Sequence, residues 1–516
     1  MRPIQILWVD DEISFLKPHI IFLEQKNYAI TSCRSGTEAL EIFKTNDFDI
    51  VFLDENMPGL TGLETLSELK ELKSNVPVVM ITKSEEECIM EEAIGSKISD
   101  YLIKPVNPNQ ILLSLKKNLD HTRLIAEKTS SNYLQEFRTI ALEINALNRW
   151  ESWTEMYKKL VYWELELENS QDAAMQEILD AQKAEANIQF CKFIEQHYAS
   201  WFEDETPPEL SHTLFKNKIL PEINSQQPTL LLMIDNLRYD QWKAIESTVS
   251  MHYKTALETL YCSILPTATQ YARNAFFSGL MPDEMKTKHP NFWKDDMDKG
   301  GKNLFENEFL KHQLQRLNRS DISFEYTKIT NLRDGRKLAG QIKTKTKNNL
   351  TVVVYNFVDM LSHSKTDMEV VKELASDDKG YRSLTQSWFK NSPLLDIIKQ
   401  AQQYNFKLII TTDHGTINVK HPSKVVGDKD TSLNLRYKTG RSLSYDSKGV
   451  FAVKNPKSVG LPSISLNSDF IFAKENLFFA YPNKFNHYVN YYRNSYQHGG
   501  ISLEEMIIPF VILNPK

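Results

Sequence analysis

Five times in this chain a short apolar run of strand type stops on an aspartate. ILWV ends at Asp10 and Asp11, FDIVFL at Asp54, TLLLMI at Asp235, NLTVVVYNFV at Asp359 and FKLIITT at Asp413. Such continuous runs mark strands buried on both faces, and helical stretches between them point to α/β sheets. These sheets carry their functional residues beyond the carboxyl ends of the strands, which is where the aspartates fall. At 516 residues the chain is too long for one core, and roughly three domains is the prior.

The N-terminal runs also include YAITSC, VPVVMI before Thr82 and DYLI before Lys104 and Pro105. Five strands with helices between them predict a parallel doubly wound sheet, with Asp11, Asp54, Thr82 and Lys104 at the ends of four different strands. Clustered carboxylates suit one hard Mg²⁺ ion. Asp54 can then attack a phosphoryl group, with Lys104 and the Thr82 hydroxyl positioned to bond its oxygens. On LWVDDE, FLDENMPG and LIKP the segment closely resembles response-regulator receiver domains, over about residues 3–120. The resemblance implies a flavodoxin-like fold, Asp54 as phosphoacceptor, Asp10 and Asp11 joining it around Mg²⁺, and Tyr101 as the aromatic switch partner of Thr82.

The middle of the chain is helical by pattern: QILLSLKKNLDHTRLIAEK, FRTIALEINAL, WESWTEMYKKLVYWELELE and QEILDAQKAEANIQFCKFIEQHYASWF. Trp153, Tyr157, Leu160 and Trp163 recur at helical spacing and read as core. The expected architecture is therefore multidomain α/β: a receiver over residues 1–120, a helical bundle over 121–208, and a second α/β domain over 209–516.

In that last domain Asp235, Asp359, His363, Asp413, His414 and His498 form four fragments, LLLMIDN, NFVDMLSH, LIITTDHG and YQHGG. Taken singly each has an ordinary reading: Asp235 as a helix cap, His363 sharing a turn with Asp359, His498 as a loop histidine. Together, three carboxylates and three imidazoles suit two zinc ions. Thr267 and Thr269, in SILPTATQYAR, are both available as nucleophiles.

The fragments resemble the alkaline phosphatase superfamily, including its PglZ domains, over roughly residues 225–516. By that resemblance one zinc takes Asp359, His363 and His498, and the other takes Asp235, Asp413, His414 and the nucleophile. The superfamily's nucleophile lies three residues after a proline, which selects Thr269 after Pro266. Thr269 is then expected to attack phosphorus in line and to pass through a phosphothreonine. CSILPT lacks the CxPxR spacing of the sulfatases. Arg273, one turn after Thr269, either orients a phosphate or supports the turn. Lys424, Lys429, Arg436, Lys438 and Arg441, with Tyr437 among them, form either a solvated loop or a clamp for a phosphodiester chain.

Net charge is −6, so no global attraction to nucleic acid is evident. No helix-turn-helix is recognisable, and no apolar run reaches the ~20 residues that span a bilayer. Cys33, Cys88, Cys191 and Cys262 are far apart, and a reducing cytoplasm is expected. The order of receiver, bundle and PglZ-type domain resembles the PorX-like response regulators of Bacteroidetes. That implies a sensor histidine kinase as partner, a role in type IX secretion, and phosphodiester hydrolysis on nucleotide or oligonucleotide substrates, cyclic ones included. It also leads us to expect a homodimer formed on phosphorylation or metal binding. The competing expectation is a catalytically weak zinc-binding module that signals through a partner such as a sigma factor or kinase.

Overall fold

The computed structural model describes residues 3–73, 76–83, 98–170, 172–356, 358, 374–375, 377–428, 431–463 and 468–516. It divides into two compact units, Met1–Leu134 with Asn169–Asp172, and Gln135–Glu168 with Ala173–Lys516.

In the first unit β1 (Ile4–Val9), β2 (Tyr28–Cys33), β3 (Ile50–Asp54), β4 (Val78–Thr82) and β5 (Asp100–Ile103) form one sheet in the order β2-β1-β3-β4-β5. Every pairing is parallel, giving the flavodoxin-like order expected. Alternation along the strands divides the core in two: Leu7, Val51, Leu53 and Met80 face one way, and Ile6, Trp8, Phe52 and Ile81 the other. The helices α1 (Lys17–Glu24), α2 (Gly36–Thr45) and α3 (Gly62–Leu72) lie between the strands in sequence. Ser35 caps α2, and Thr61 with Glu64 makes a capping box on α3.

The helix α4 (Pro108–Ile144) runs for 37 residues, and the division between the units falls inside it. Two stretches that read as separate helices are thus one, because TSSNYLQE between them holds no proline or glycine to stop it. Next come α5 (Trp150–Ser170) and α6 (Ala173–His197). Trp153, Tyr157, Leu160 and Trp163 are buried, with Trp153 edge-on to Phe190 at 5.4 Å.

The second unit is built on β6 (Thr229–Ile234), β7 (Tyr253–Cys262), β8 (Phe324–Ile329), β9 (Leu350–Tyr355) and β10 (Lys407–Thr411). Three small sheets follow. They comprise β11 (Ile417–Asn418), β12 (His421–Val426), β13 (Tyr437–Arg441), β14 (Ser444–Tyr445), β15 (Val450–Val453), β16 (Ser468–Ala473), β17 (Leu477–Ala480) and β18 (Tyr496–Gln497). The strand β19 (Ile507–Pro515) returns to the large sheet, whose order is β7-β19-β10-β6-β9-β8. β8, β9, β6 and β10 are parallel, while β19 and β7 run antiparallel. β6 and β9 are buried at every position.

The helices that matter for the site are α7 (Tyr239–Ser250), α8 (Thr269–Ser278), α9 (Glu306–Arg316), α10 (Asp378–Lys390) and α11 (Leu503–Met506). Arg382 on α10 donates at 2.7 Å to Glu164 of α5 and at 2.7 Å to Asp240 of α7, and pairs with Glu168. Lys183 of α6 lies 2.8 Å from Glu164. Asn187 donates to Glu504 at 3.1 Å and accepts the Leu503 amide at 2.8 Å. Among the described residues no helix is long and apolar enough to cross a membrane, and Cys33, Cys191 and Cys262 are buried and free.

Burial opposes charge on Asp240, yet the guanidinium groups of Arg238 and Arg382 hold its carboxyl below the usual range. Asp378 is depressed in the same way against its own burial, by Arg238, Lys183 and Arg382. A carboxyl with a depressed folded pKa adds stability above its unfolded value and loses it as pH falls. Urea unfolding at graded pH should therefore give a second-unit stability that starts to fall as pH drops through about 4. Asp240→Asn should flatten that slope.

Candidate functional site

The end of β3 lies beside the end of β1, with Val9 opposite Leu53, so Asp54 and Asp10 are neighbours. The main chain after β5 returns to β4 through Lys104 N–H to Thr82 C=O at 2.7 Å. The Lys104 ammonium lies 2.8 Å from Asp10 Oδ2 and 3.0 Å from Asp54 Oδ2. Burial works against the Lys104 charge, but the two aspartates outweigh it and raise its pKa. Burial also pushes Asp54 up, and Lys104 offsets this only in part. Asp10, Asp11 and Asp54 bring one oxygen each within 4.8 Å of one another. Asp54 Oδ1 is buried with no hydrogen-bond partner among the described residues. A hard divalent cation fits that oxygen-only set. Thr82 is buried beside the site, and Tyr101 packs partly buried against the core cluster around Met80.

In the second unit Asp235 follows β6 directly, and Asn236 adopts a left-handed φ of 64° that turns the chain back toward the end of β10. There the Asn236 amide points at Asp413 Oδ1 at 3.4 Å, and the Leu237 amide donates to Thr412 Oγ1 at 3.0 Å. Ser263 after β7 donates to the Asp413 carbonyl at 2.7 Å. Asp235, Asp413 and His414 consequently bring one ligand atom each within 4.8 Å of one another.

His414 Nδ1 lies 3.0 Å from the Gly415 carbonyl. A carbonyl only accepts, so Nδ1 carries the proton and Nε2 the lone pair. Nε2 is 3.1 Å from Thr269 Oγ1. Two carboxylates and an imidazole nitrogen so presented fit zinc. The ribbon β11–β18 brings His498 back across 84 residues to stack on His414 at 4.2 Å. Its Nδ1 faces the Thr267 carbonyl at 3.2 Å. Asp359 and His363, the remaining expected ligands, lie outside the described residues, as does Lys429.

The two threonines differ sharply. Thr267 is buried, donating to the Gly500 carbonyl at 2.8 Å and accepting the Gly499 amide at 3.0 Å. Thr269 is half-buried at the first position of α8, and Asn303 holds its carbonyl at 2.9 Å.

Arg273 resolves the choice left open for it. It is wholly buried, pairing with Asp235, with Asp413 at 2.9 Å and with Glu306 at 3.5 Å. It supports the carboxylates and has no surface to offer a substrate. Although burial opposes charge on Asp413, the Arg273 guanidinium beside it holds its carboxyl well below the carboxylate range. Glu306 was not singled out in the sequence, because nothing local marks it.

The basic stretch also reads differently in three dimensions. Arg436 is not a substrate-binding residue: it is buried, with its Nη2 2.6 Å from Glu505 and further bonds to the Leu477 and Ile501 carbonyls. Lys438 is buried too, donating to the Ser432 carbonyl at 2.8 Å above the Tyr481 ring, and burial pushes its pKa down to about 8. Tyr437 turns inward to Asp296 at 2.9 Å, whereas Lys424 and Arg441 are exposed. Arg436 and Lys438 are thus part of no solvated loop, because each meets a buried acceptor.

Thr267→Val should cost about 1–3 kcal/mol, since it leaves the buried Gly499 amide without its acceptor. Thr269→Val should be nearly neutral by the same thermal melt. Arg436→Met should cost about 3–5 kcal/mol, because it strands Glu505 in the interior; an unchanged melting temperature would return Arg436 to the surface.

Three families match along the chain. The response regulator receiver domain covers residues 6–116, the PorX response regulator linker domain 123–202, and the BREX system PglZ alkaline phosphatase-like domain 214–513. The transcriptional regulatory protein ResD of Bacillus subtilis (strain 168) is 33% identical over 112 residues, 22% of this chain and 46% of that one. ZraR of Klebsiella oxytoca is 36% identical over 121 residues, 23% of this chain and 27% of that one. The chain thus spans less than half the length of either relative. Among solved structures, chemotaxis protein CheY4 of Vibrio cholerae is 28% identical with a TM-score of 0.22, covering 22% of this chain and 98% of that one. With the PglZ match taking in more than half of its residues, the chain belongs to the PglZ alkaline phosphatase-like family and is a PorX-like response regulator.

Proposed function

We propose that phosphorylation of Asp54 by a sensor histidine kinase governs a zinc-dependent phosphodiesterase in the C-terminal domain, with Thr269 as its nucleophile. The observation that carries this reading is the 3.1 Å approach of Thr269 Oγ1 to His414 Nε2, beside Asp235 and Asp413. Zinc held by Asp235, Asp413 and His414 would supply Lewis acidity that lowers the pKa of a nearby hydroxyl. Thr269 stands at the positive end of α8, where backbone amides favour negative charge on its oxygen. Asn303, bonded to the Thr269 carbonyl and to Asn274, fixes that first turn.

Thr269 Oγ bonds to phosphorus as its proton departs, and the leaving alkoxide takes up a proton. Water then cleaves the phosphothreonine, restoring the hydroxyl and releasing the second product. The nucleotide or oligonucleotide character of the substrate, cyclic ones included, and a role in type IX secretion, rest on the family resemblance. A homodimer formed on phosphorylation or metal binding belongs to the same reading, whereas contact with a sigma factor belongs to the non-catalytic alternative.

The test is hydrolysis of a generic aryl phosphodiester by zinc-loaded protein. Thr269→Ala should lower kcat by roughly a thousandfold or more, and a chelator should abolish turnover in the wild type. Two bound zinc ions without turnover would favour the non-catalytic module that signals through a protein partner.

A further inference from the structure

One ion pair lies against the chain beside each fragment of the C-terminal site. Arg238, three residues after Asp235, donates from Nη1 to Asp378 Oδ1 at 2.6 Å. The same oxygen accepts the Tyr496 hydroxyl at 2.8 Å, and Tyr496 precedes His498 by two residues. Gly415, next to His414, has no room for a side chain. A Cβ there would meet the Glu504 carbonyl oxygen at 1.9 Å and Arg238 Cγ at 3.5 Å, so the Arg238 stem and the Glu504 backbone form the floor under the Asp-His-Gly turn. Tyr381, one turn after Asp378 on α10, stacks on Tyr496 at 4.0 Å and donates to the Val358 carbonyl at 3.3 Å. Val358 immediately precedes Asp359 in the sequence.

The opposite side of this pair is held by the linker helices. Lys183 of α6 lies 3.8 Å from Asp378 Oδ2 and 2.8 Å from Glu164 of α5. Arg238 is 1% exposed and Asp378 30%, with the Arg238 guanidinium 5.6 Å from the Tyr496 ring and 5.8 Å from that of Tyr381. Stability alone does not call for such charges, because a buried ion pair can often be replaced by apolar residues at no cost. What an ion pair adds is direction, since each donor must meet its own acceptor.

We infer that Asp378 is a positioning residue through which the linker helices hold the fragments carrying Asp235, His414 and His498 in register. This rests on reading those residues as a zinc-dependent hydrolytic site, and Asp378 itself touches none of them. It acts through Arg238 and Tyr496, as outer partners of metal ligands do when they fix ligand orientation.

The full chain provides the test. Zinc affinity is measured by competition with a chromogenic chelator, alongside kcat and KM on an aryl phosphodiester and the melting temperature. Asp378→Asn should weaken zinc binding and lower kcat by about tenfold or more each, leaving KM nearly unchanged. Asp378→Glu should recover part of both losses, and Lys183→Met should lower both to a smaller extent. Should Asp378→Asn not fold, Tyr496→Phe removes one bond to the same oxygen and should weaken zinc binding severalfold. Variants that melt earlier but bind zinc and turn over like wild type would reduce the pair to a structural prop and overturn the inference. If wild type binds zinc but hydrolyses no diester, the hydrolase reading fails, and the zinc affinities alone decide the positioning role. A wild type that binds no zinc overturns both.

Discussion

Acidic groups gathered at strand ends repel one another, and among the described residues this chain answers the problem with embedded cations. Two unit charges 4 Å apart interact by about 4 kcal/mol at an effective dielectric of ~20, so such clusters do not persist unaided. In the receiver the cation is Lys104, shared by Asp10 and Asp54. Between β6 and β10 it is Arg273, shared by Asp235, Asp413 and Glu306. Below them Arg238 and Arg382 share Asp240, and Arg238 also takes Asp378. Arginine serves the dry positions because its fork can meet several carboxylates at once, whereas the lysine stands at a site that stays 12% open to solvent.

Backbone pairing brings the distant fragments to one place, and the cations then neutralise them. Asp235 and Asp413 end adjacent parallel strands, so the sheet register alone brings them near. His498 has no such support, and its place depends on the short β11–β18 ribbon and on Thr267, which ties Gly499 and Gly500. Gly499 has a φ of 121°, and a side chain there would also strike Tyr437. Thr267 therefore builds the wall of the site, while Thr269, two residues on, faces into it.

Much of this was legible in the chain. The inner receiver strands β1, β3 and β4 and, in the second unit, β6, β9, β10 and β19 announce themselves as apolar runs, because both their faces are covered. β7 and β8 do not, since YKTALETLYC and FEYTKI mix charge with apolar residues as strands at sheet edges do. The cations defeated sequence reading for a different reason. Arg436 looks like a surface charge until Glu505, 69 residues away, is seen to lie against it. Arg238 and Asp378 carry no motif, and only the fold shows that 140 residues of separation close to 2.6 Å.

Counting formal charges distinguishes the two carboxylate clusters. In the receiver Asp10, Asp11 and Asp54 set three negative charges against the single positive charge of Lys104. In the second unit Asp235, Asp413 and Glu306 set three against Arg273 and against Lys328, whose ammonium lies 3.4 Å from Glu306. The receiver is left with two negative charges, the amount that one divalent ion neutralises, and the second cluster with one. The ligand atoms then separate the ions: oxygen alone in the receiver suits magnesium, and the His414 nitrogen in the second cluster favours zinc. Replacing Arg273 by a neutral residue would leave Asp235 and Asp413 uncompensated, with Lys328 reaching only Glu306. Replacing it with lysine would keep the count but lose the fork that holds Asp235 and Asp413 together. The site needs the charge and the geometry from the same side chain, which is why a fully buried arginine stands one turn behind Thr269.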